Sequence, residues 1–315
     1  MKKLTDANNE IKHALYEMPN SRLQTNIYTI ADMRVKLTDW MHNPYKTIVN
    51  MAMKTWNNTS NKWSILSPEA RFIVVKDVLD NKALPLALEH PTFSFSVDTI
   101  SRAAFDQIAR ARIGIVFSSK GQKDDYLDDI GFILPTKFIR RDYGIVDAIR
   151  SIKQLYHELQ HKDVPNWARR CVLPMYSEHS FIFSCNFMAL KNLLAKRLET
   201  TEMEDVVAFA ILTRAAVKAE FPLLANYLRP ASDFAKRDLT TAFNGFSDIV
   251  SVPHSSDNRH KGFDSDKYPP IFNEPCTDIE LVQSLIHCTL PKPNEWIEFT
   301  WDTLKCIDKS RFSAD

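Results

Sequence analysis

The sequence of 315 residues predicts an α+β fold, because long helical patterns and a clear strand occur along the same chain. Residues 145–161 carry apolar side chains at helical spacing, and residues 181–197 and 205–227 predict two more long helices. Between residues 93 and 97 apolar and polar side chains alternate, which is typical of a strand. These patterns favour helices packed against a sheet.

The chain divides into three predicted parts. Residues 1–66 are expected to form an N-terminal helical region, with helices over 11–18, 27–41 and 45–56. Residues 67–230 form the predicted core, which begins with a helix start at Ser67-Pro68-Glu69. Residues 231–315 form a C-terminal appendage of unknown role, with a polar loop over 251–274 and a partly apolar end.

Composition argues against several classes of protein. A formal net charge of +1 lacks the excess Lys and Arg of a general nucleic-acid binder. No run approaches the ~18 apolar residues that span a bilayer, and no secretory signal is evident. Five cysteines without C-x-x-C spacing indicate reduced thiols, so we expect a cytoplasmic protein that contacts neither membrane nor nucleic acid.

The low glycine content bears on how a nucleotide would be held. Only six glycines occur, and neither a Walker nor a dinucleotide-binding glycine pattern is present. Side chains would therefore have to hold the phosphates. Arginine suits this task because it stays charged and its planar donors match phosphate oxygens.

The segment most informative about function is residues 100–114. It predicts an amphipathic helix that ends near Gln107, Arg110 and Arg112 and precedes a loop with Gly and Ser. Arginines in a last helical turn can simply complement the helix dipole, or they can meet a polar ligand. The residues around them favour the ligand.

Those residues resemble the signature of the flavin-dependent thymidylate synthases. In that family a helix with Ser-Arg-Ala and a Gln leads into R-H-R-x-x-S, and here Ser101-Arg102-Ala103, Gln107 and Arg110-Ala111-Arg112 stand in those places. Upstream, Leu88-Glu89-His90 and Phe93-Ser94-Phe95 resemble the family's entry strand. Downstream, Phe132-Ile133-Leu134-Pro135 resembles its "F-Y-I-P" segment.

A second block strengthens the resemblance. Residues 168–174 are similar to the family's "A-R-x-V-L-P" element, with Arg170 as its nucleotide-binding arginine. Asn186 follows by sixteen residues, Asn192 by six more and Arg197 by five more. These intervals match those of two flavin-contacting asparagines and a uracil-activating arginine in the family.

The resemblance implies a function and the residues for it. It implies an α+β fold with a mostly antiparallel sheet, a homotetramer with sites between subunits, and a flavin- and nucleotide-binding core over 67–230. The implied reaction transfers a one-carbon unit to C5 of a pyrimidine deoxynucleotide, most simply dUMP. In it NADPH reduces FAD and methylenetetrahydrofolate supplies the carbon.

The resemblance also implies the site residues. Arg197 would be catalytic. The nucleotide would be bound by Gln107, Arg110, Lys123, Arg170 and Arg197, and the flavin by Arg110, Arg112, Asn186 and Asn192.

Departures from the family pattern leave alternatives open. The central His of R-H-R is Ala111, the Arg expected two residues after Asn186 is Met188, and Lys123 stands where an Arg is expected. A dUMP or dCMP hydroxymethylase of the same fold is therefore an alternative. A descendant that binds a nucleotide without catalysis is another.

A rival motif lies in the helix over 145–161. His157-Glu158-Leu159-Gln160-His161 spells H-E-x-x-H, the zincin signature of two zinc-binding histidines and a general base. However, Arg150, Gln154 and both histidines line one face opposite the apolar stripe, as on a solvated surface. No third ligand follows at a zincin spacing, so no metal site is predicted.

Overall fold

A computed structural model describes residues 27–28, 30–57, 63–121, 130–134, 144–198, 203–231 and 299–314. The strands are β1 (Ile27–Tyr28), β2 (Arg34–Trp40), β3 (Thr92–Ser101), β4 (Ile115–Ser119), β5 (Phe132–Ile133) and β6 (Glu178–Asn186). The helices are α1 (Pro44–Asn57), α2 (Pro68–Leu79), α3 (Arg102–Ile108), α4 (Ile145–His161), α5 (Asn166–Arg169), α6 (Phe187–Arg197), α7 (Glu204–Glu220), α8 (Pro222–Ala225) and α9 (Cys306–Ser313).

The predicted α+β fold with a mostly antiparallel sheet and flanking helices is confirmed. Four antiparallel strands lie in the order β2-β3-β6-β4, and β1 and β5 form a short parallel pair. Along β6 the side chains of Phe181, Phe183 and Cys185 are buried and those between them are exposed. Phe183 lies opposite Phe95 of β3 and their rings stack at 4.8 Å. This face of the sheet packs against the helices and forms the main core.

The predicted helix over 27–41 is wrong. The chain there forms β1, a short 3₁₀ turn over Ile30–Asp32 and then β2. Val35 and Leu37 are half-buried between exposed Arg34, Lys36 and Thr38, so the period is two, and β2 pairs with β3. The helix predicted over 45–56 is confirmed by α1, while the one over 11–18 lies outside the described residues.

Two further helices were predicted too long. Residues 181–186 belong to strand β6, and only Phe187–Arg197 is helical. The helix predicted over 100–114 covers only Arg102–Ile108, because β3 continues to Ser101 and Ile115 begins β4. In both segments the apolar residues are so frequent that they fit a helical spacing as well as the alternation of a strand. Periodicity alone therefore could not distinguish helix from strand there.

The helix predictions for the rest of the core are confirmed. Helix α4 spans 145–161, and α2 begins after Ser67, whose hydroxyl accepts a hydrogen bond from the Ala70 backbone N–H. The segment over 205–227 forms α7 and then α8, divided at Phe221-Pro222 because proline cannot continue the helix. Within the described residues no helix is both long and apolar enough to cross a membrane.

The end of the chain packs into this core. Residues 299–314, which we call the C-terminal strap, lie against α1, α2 and α8. The Phe312 ring is fully buried and stacks on Tyr45 at 4.5 Å. Arg71 of α2 donates from Nη1 to the Phe312 carbonyl at 2.6 Å, and the Trp63 indole donates to the Ala314 carbonyl at 2.8 Å. The last part of the predicted appendage therefore completes the core, while residues 232–298 lie outside the described residues.

Candidate active site

Helices α3 and α6 bring two of the predicted site residues together. Arg197 is the last residue of α6, and its Nη2 donates to the backbone carbonyl of Gln107 in α3 at 2.6 Å. Both side chains are half-buried. A charged hydrogen bond of this kind holds the guanidinium in a defined place at reduced solvent exposure. The two residues whose spacing suggested nucleotide binding and activation are thus neighbours.

Asn186 lies at the junction of β6 and α6, not inside a long helix as predicted. Its side-chain Oδ1 accepts a hydrogen bond from the Ala189 N–H at 2.8 Å, which caps the N-terminus of α6. The Asn186 backbone N–H donates to the Gly114 carbonyl at 3.2 Å, so the start of α6 is fixed to the loop before β4. The capping uses Oδ1 of Asn186, and its Nδ2 lies beside Gly114.

Arg110 and Arg112 lie on the loop that joins α3 to β4, beyond the end of the helix predicted to carry them. Both side chains are exposed. Gly114 ends the loop with φ of +71°, a conformation that side-chain-bearing residues rarely adopt. The loop therefore presents two guanidinium groups to solvent, and its Gly114 contacts Asn186.

The other predicted residues lie farther along the chain or outside the described part. Arg170 begins a 3₁₀ turn and is exposed, and its Nε donates to the Trp167 carbonyl at 3.2 Å. Asn192 is exposed on α6, one and a half turns from Arg197. Lys123 lies outside the described residues. The structure thus brings Gln107 into contact with Arg197, and it joins Asn186 to Gly114, at the end of the loop that carries Arg110 and Arg112.

Sequence reasoning missed a buried histidine beside α3. His179 of β6 is 6% exposed, and its ring lies 4.4 Å from that of Phe105. Burial and the nearby Arg102 guanidinium lower the pKa of His179 to about 4, against the raising effect of the Asp106 carboxylate. The imidazole is therefore neutral near pH 7. The alternation along β6 would have revealed its burial, had the segment been assigned as a strand.

Sequence reasoning also missed a buried carboxylate that contacts α3. Asp205 of α7 is 4% exposed and accepts a hydrogen bond from the Ser101 hydroxyl. Burial raises the pKa of Asp205, and the bonds from Ser101 and the Val206 N–H oppose that rise. Ser101 had been matched to the family pattern without a role, and no pattern in the sequence links it to Asp205.

The zincin motif on α4 lacks the setting of a metal site. His161 is exposed and His157 half-buried, and the Gln154 amide donates to Glu158 at 3.0 Å along the helix surface. Across the described part of the chain, no group of three or more His, Cys, Asp or Glu side chains could hold a metal ion. Nothing in this part of the molecule supports the metalloprotease alternative.

A match to a protein-family model shows which family the chain belongs to. The model described as "Thymidylate synthase complementing protein" matches residues 36–223, which are more than half of the chain and include the described site residues from Ser101 to Asp205. The chain belongs to this family. The predicted resemblance to flavin-dependent thymidylate synthases is thereby confirmed.

Individual relatives support the same assignment. The flavin-dependent thymidylate synthase of Sulfolobus acidocaldarius is 30% identical over 148 residues, which cover 45% of this chain and 56% of that protein. That of Pyrococcus abyssi is 26% identical over 223 residues, covering 65% and 84% of the two chains. The chain thus spans little more than half the length of the first of these relatives.

Solved structures share the fold at low sequence identity. A UMP/dUMP methylase PolB from Streptomyces cacaoi, bound with 5-Br dUMP, has a TM-score of 0.54 at 14% identity and covers 64% of this chain and 96% of its own. Thymidylate synthase X from Helicobacter pylori, with FAD and dUMP, has a TM-score of 0.50 at 18% identity, covering 62% and 98%.

Proposed function

We propose that this protein is a flavoenzyme that transfers a one-carbon unit to C5 of a pyrimidine deoxynucleotide, most simply converting dUMP to dTMP. The observation that carries the proposal is the half-buried Arg197 guanidinium, fixed by the Gln107 carbonyl. Membership of the family supports the same reaction. Both relatives named above are flavin-dependent thymidylate synthases.

Arg197 suits the activation of a uracil ring. C5 becomes nucleophilic when negative charge that develops in the ring is stabilised. A fixed cation of reduced solvent exposure stabilises such charge better than a solvated one, and it needs no covalent nucleophile. The Gln107 carbonyl holds the guanidinium in place before substrate arrives, so little reorganisation is needed.

The remaining residues would bind the two ligands. The nucleotide would be held by Gln107, Arg110, Lys123 and Arg170. Guanidinium and ammonium groups are suitable hydrogen-bond donors to its phosphate. For Arg170, which is exposed on a 3₁₀ turn, we propose a role in a site shared between subunits of a homotetramer. The segments over 1–66, 67–230 and 231–315 remain our proposed division of the chain.

The donor set beside α6 fits FAD. The exposed guanidinium groups of Arg110 and Arg112 match the charge of a diphosphate, and the amides of Asn186 and Asn192 suit a flavin ring or its sugar chain. When bound, FAD would supply the hydride that completes the methyl group. NADPH and methylenetetrahydrofolate are the proposed co-substrates, and a cytoplasmic location agrees with nucleotide biosynthesis.

Two readouts test this proposal. The purified protein is loaded with FAD, and its visible spectrum is recorded while dUMP or dCMP is added. We expect bound flavin whose bands shift with dUMP. A protein that binds neither FAD nor either nucleotide would contradict the enzyme assignment. That result would favour a non-catalytic descendant of the family.

Product analysis separates the related reactions. The loaded protein is incubated with NADPH, methylenetetrahydrofolate and dUMP, and the nucleotide is analysed by mass spectrometry. A methylated product is expected. A hydroxymethylated product, or reaction with dCMP alone, would favour the hydroxymethylase alternative that Ala111 and Met188 leave open.

A further inference from the structure

A bulge in β3 turns Ser101 into the core. The register with β6 shifts between Val97 and Ile100, and Thr99 adopts φ of +59°, which β-branched residues rarely do. As a result Ile100 and Ser101 are both fully buried, although successive strand residues normally point to opposite faces. The Thr99 hydroxyl donates to Glu178 Oε1 at 3.2 Å and holds this conformation in place.

The buried hydroxyl of Ser101 joins two helix starts. Its oxygen accepts a hydrogen bond from the Ala104 N–H at 3.0 Å, which caps α3. The same hydroxyl donates to the carboxylate of Asp205 in the first turn of α7. Asp205 also accepts from the Val206 N–H at 3.1 Å. The N-terminus of α3 is thereby fixed to the N-terminus of α7 through the buried Ser101 hydroxyl and the buried Asp205 carboxylate.

Helix α3 needs such an anchor. It has only seven residues, and a helix of two turns has little stability of its own. Gln107 lies near its far end, roughly 9 Å along the helix axis from Ser101 at 1.5 Å per residue. The direction that α3 takes from Ser101 therefore sets where the Gln107 carbonyl meets the Arg197 guanidinium.

We propose that Ser101 and Asp205 are positioning residues for the candidate site, acting through α3 on Gln107 and Arg197. This inference rests on the proposed function, because the quantity that it controls is nucleotide binding. Neither residue touches the proposed ligands. Their effect is to hold the arginine and the α3 backbone in a single arrangement.

The test compares Ser101→Ala with a matched control in the full-length protein. Thr213→Val removes another fully buried hydroxyl, which donates a hydrogen bond to the Phe209 carbonyl within α7. Asp205→Asn keeps a hydrogen-bonding group beside Ser101. The dissociation constant for dUMP is measured in the presence of FAD, and amide hydrogen exchange is followed over residues 102–112.

We expect Ser101→Ala to weaken dUMP binding at least fivefold and to speed exchange over 102–112, while Thr213→Val changes neither. Asp205→Asn should bind dUMP within twofold of the unaltered protein. Equal dUMP affinity in Ser101→Ala and Thr213→Val would overturn the positioning role. If the unaltered protein binds no dUMP, the proposed function fails, and exchange alone then decides whether Ser101 anchors α3.

Discussion

At the scale of single residues, Arg197 has the most direct functional consequence. It combines a half-buried guanidinium, a fixed partner in the Gln107 carbonyl and a place at the end of a helix whose other face is buried in the core. We expect Arg197→Ala to lower turnover of dUMP at least ~100-fold, the scale for removing one preorganised stabilising group. Flavin content should stay unchanged in the visible spectrum, because the proposed flavin contacts lie elsewhere.

The neighbouring cation provides the control. Lys196→Ala removes an exposed charge from the same helix turn and should leave turnover within about twofold, since surface charges contribute little. Arg197→Lys keeps the charge but not the planar donors, so it should recover only part of the activity. Full activity in Arg197→Ala would refute the catalytic assignment.

We expect the free energy of unfolding to depend on pH through the buried carboxyl group of Asp308. It is fully buried in the strap and accepts hydrogen bonds from the Tyr45 hydroxyl and the Leu223 N–H. Burial raises its pKa from 3.8 to about 6, against the lowering effect of those bonds and of Arg311 and Lys305. The folded protein thus binds this proton more tightly than the unfolded chain, so the contribution to stability is complete below about pH 4 and is lost as the pH rises through about 6.

Asp308→Asn should remove this dependence. Between about pH 5 and about pH 8, we expect the unaltered protein to lose roughly 1 kcal/mol more unfolding free energy than the variant. Urea unfolding at the two pH values measures the difference. Parallel pH profiles for the two proteins would show that Asp308 does not titrate in this range.

The site residues differ in how far the sequence could reveal them. The family pattern predicted that Gln107 and Arg197 both serve the nucleotide, and the structure shows the Gln107 carbonyl in contact with Arg197. The same pattern could not reveal Asp205, because its partner Ser101 lies 104 residues away and their bond depends on tertiary packing. The intervals between residues of one segment can be recognised in the sequence. A buried polar contact between two distant segments cannot, because it produces no local sequence pattern.

At the scale of elements, the loop before β4 makes a prediction about two glycines. A Cβ on Gly114 would lie 2.9 Å from Ala189 Cβ and from Asn186 Nδ2, whereas one on Gly144 would meet nothing within 4 Å. Both residues have positive φ, so each alanine variant bears a backbone cost of about 1–2 kcal/mol. Only Gly114→Ala adds a clash with the start of α6.

We therefore expect Gly114→Ala to be clearly less stable than Gly144→Ala and to bind FAD more weakly, because the Asn186 cap must move. Urea midpoints and flavin titration of the two variants measure these effects. Equal midpoints would mean that the loop and α6 can separate without cost.

Element types were predictable where the apolar spacing fits only one kind of element. Helix α4 keeps a polar surface, and its bounds matched the prediction over 145–161. Strand β6 was assigned to a helix because it runs directly into α6 and the apolar residues continue across Asn186. Only the capping bond of Asn186 marks the change, and the sequence alone does not specify which Asn side chain will cap.

At the scale of the whole molecule, the strap ties the end of the chain to the beginning of the core. Phe312 contacts the rings of Tyr45, Trp63 and Phe72. Phe312→Ala should lower stability by about 3–5 kcal/mol, the usual cost of truncating a buried Phe. For a protein of this size that corresponds to a melting temperature lower by roughly 10 °C.

The control for this variant lies in the same helix. Ser310 is exposed, and its hydroxyl donates to the Ile307 carbonyl within the same helix, so Ser310→Ala should melt within about 2 °C of the unaltered protein. Differential scanning calorimetry compares the three proteins. A Phe312→Ala variant that melts with the control would place the strap outside the cooperative core.

The strap also bears on how the protein is made. Residues up to Leu228 and the Phe312 side chain share one core, yet a ribosome needs on the order of 10 s to synthesise the stretch between them. During that interval the aromatic rings of Tyr45, Trp63 and Phe72 have no Phe312 to cover them. A nascent chain of this protein therefore displays an apolar surface that chaperones at the ribosome can bind.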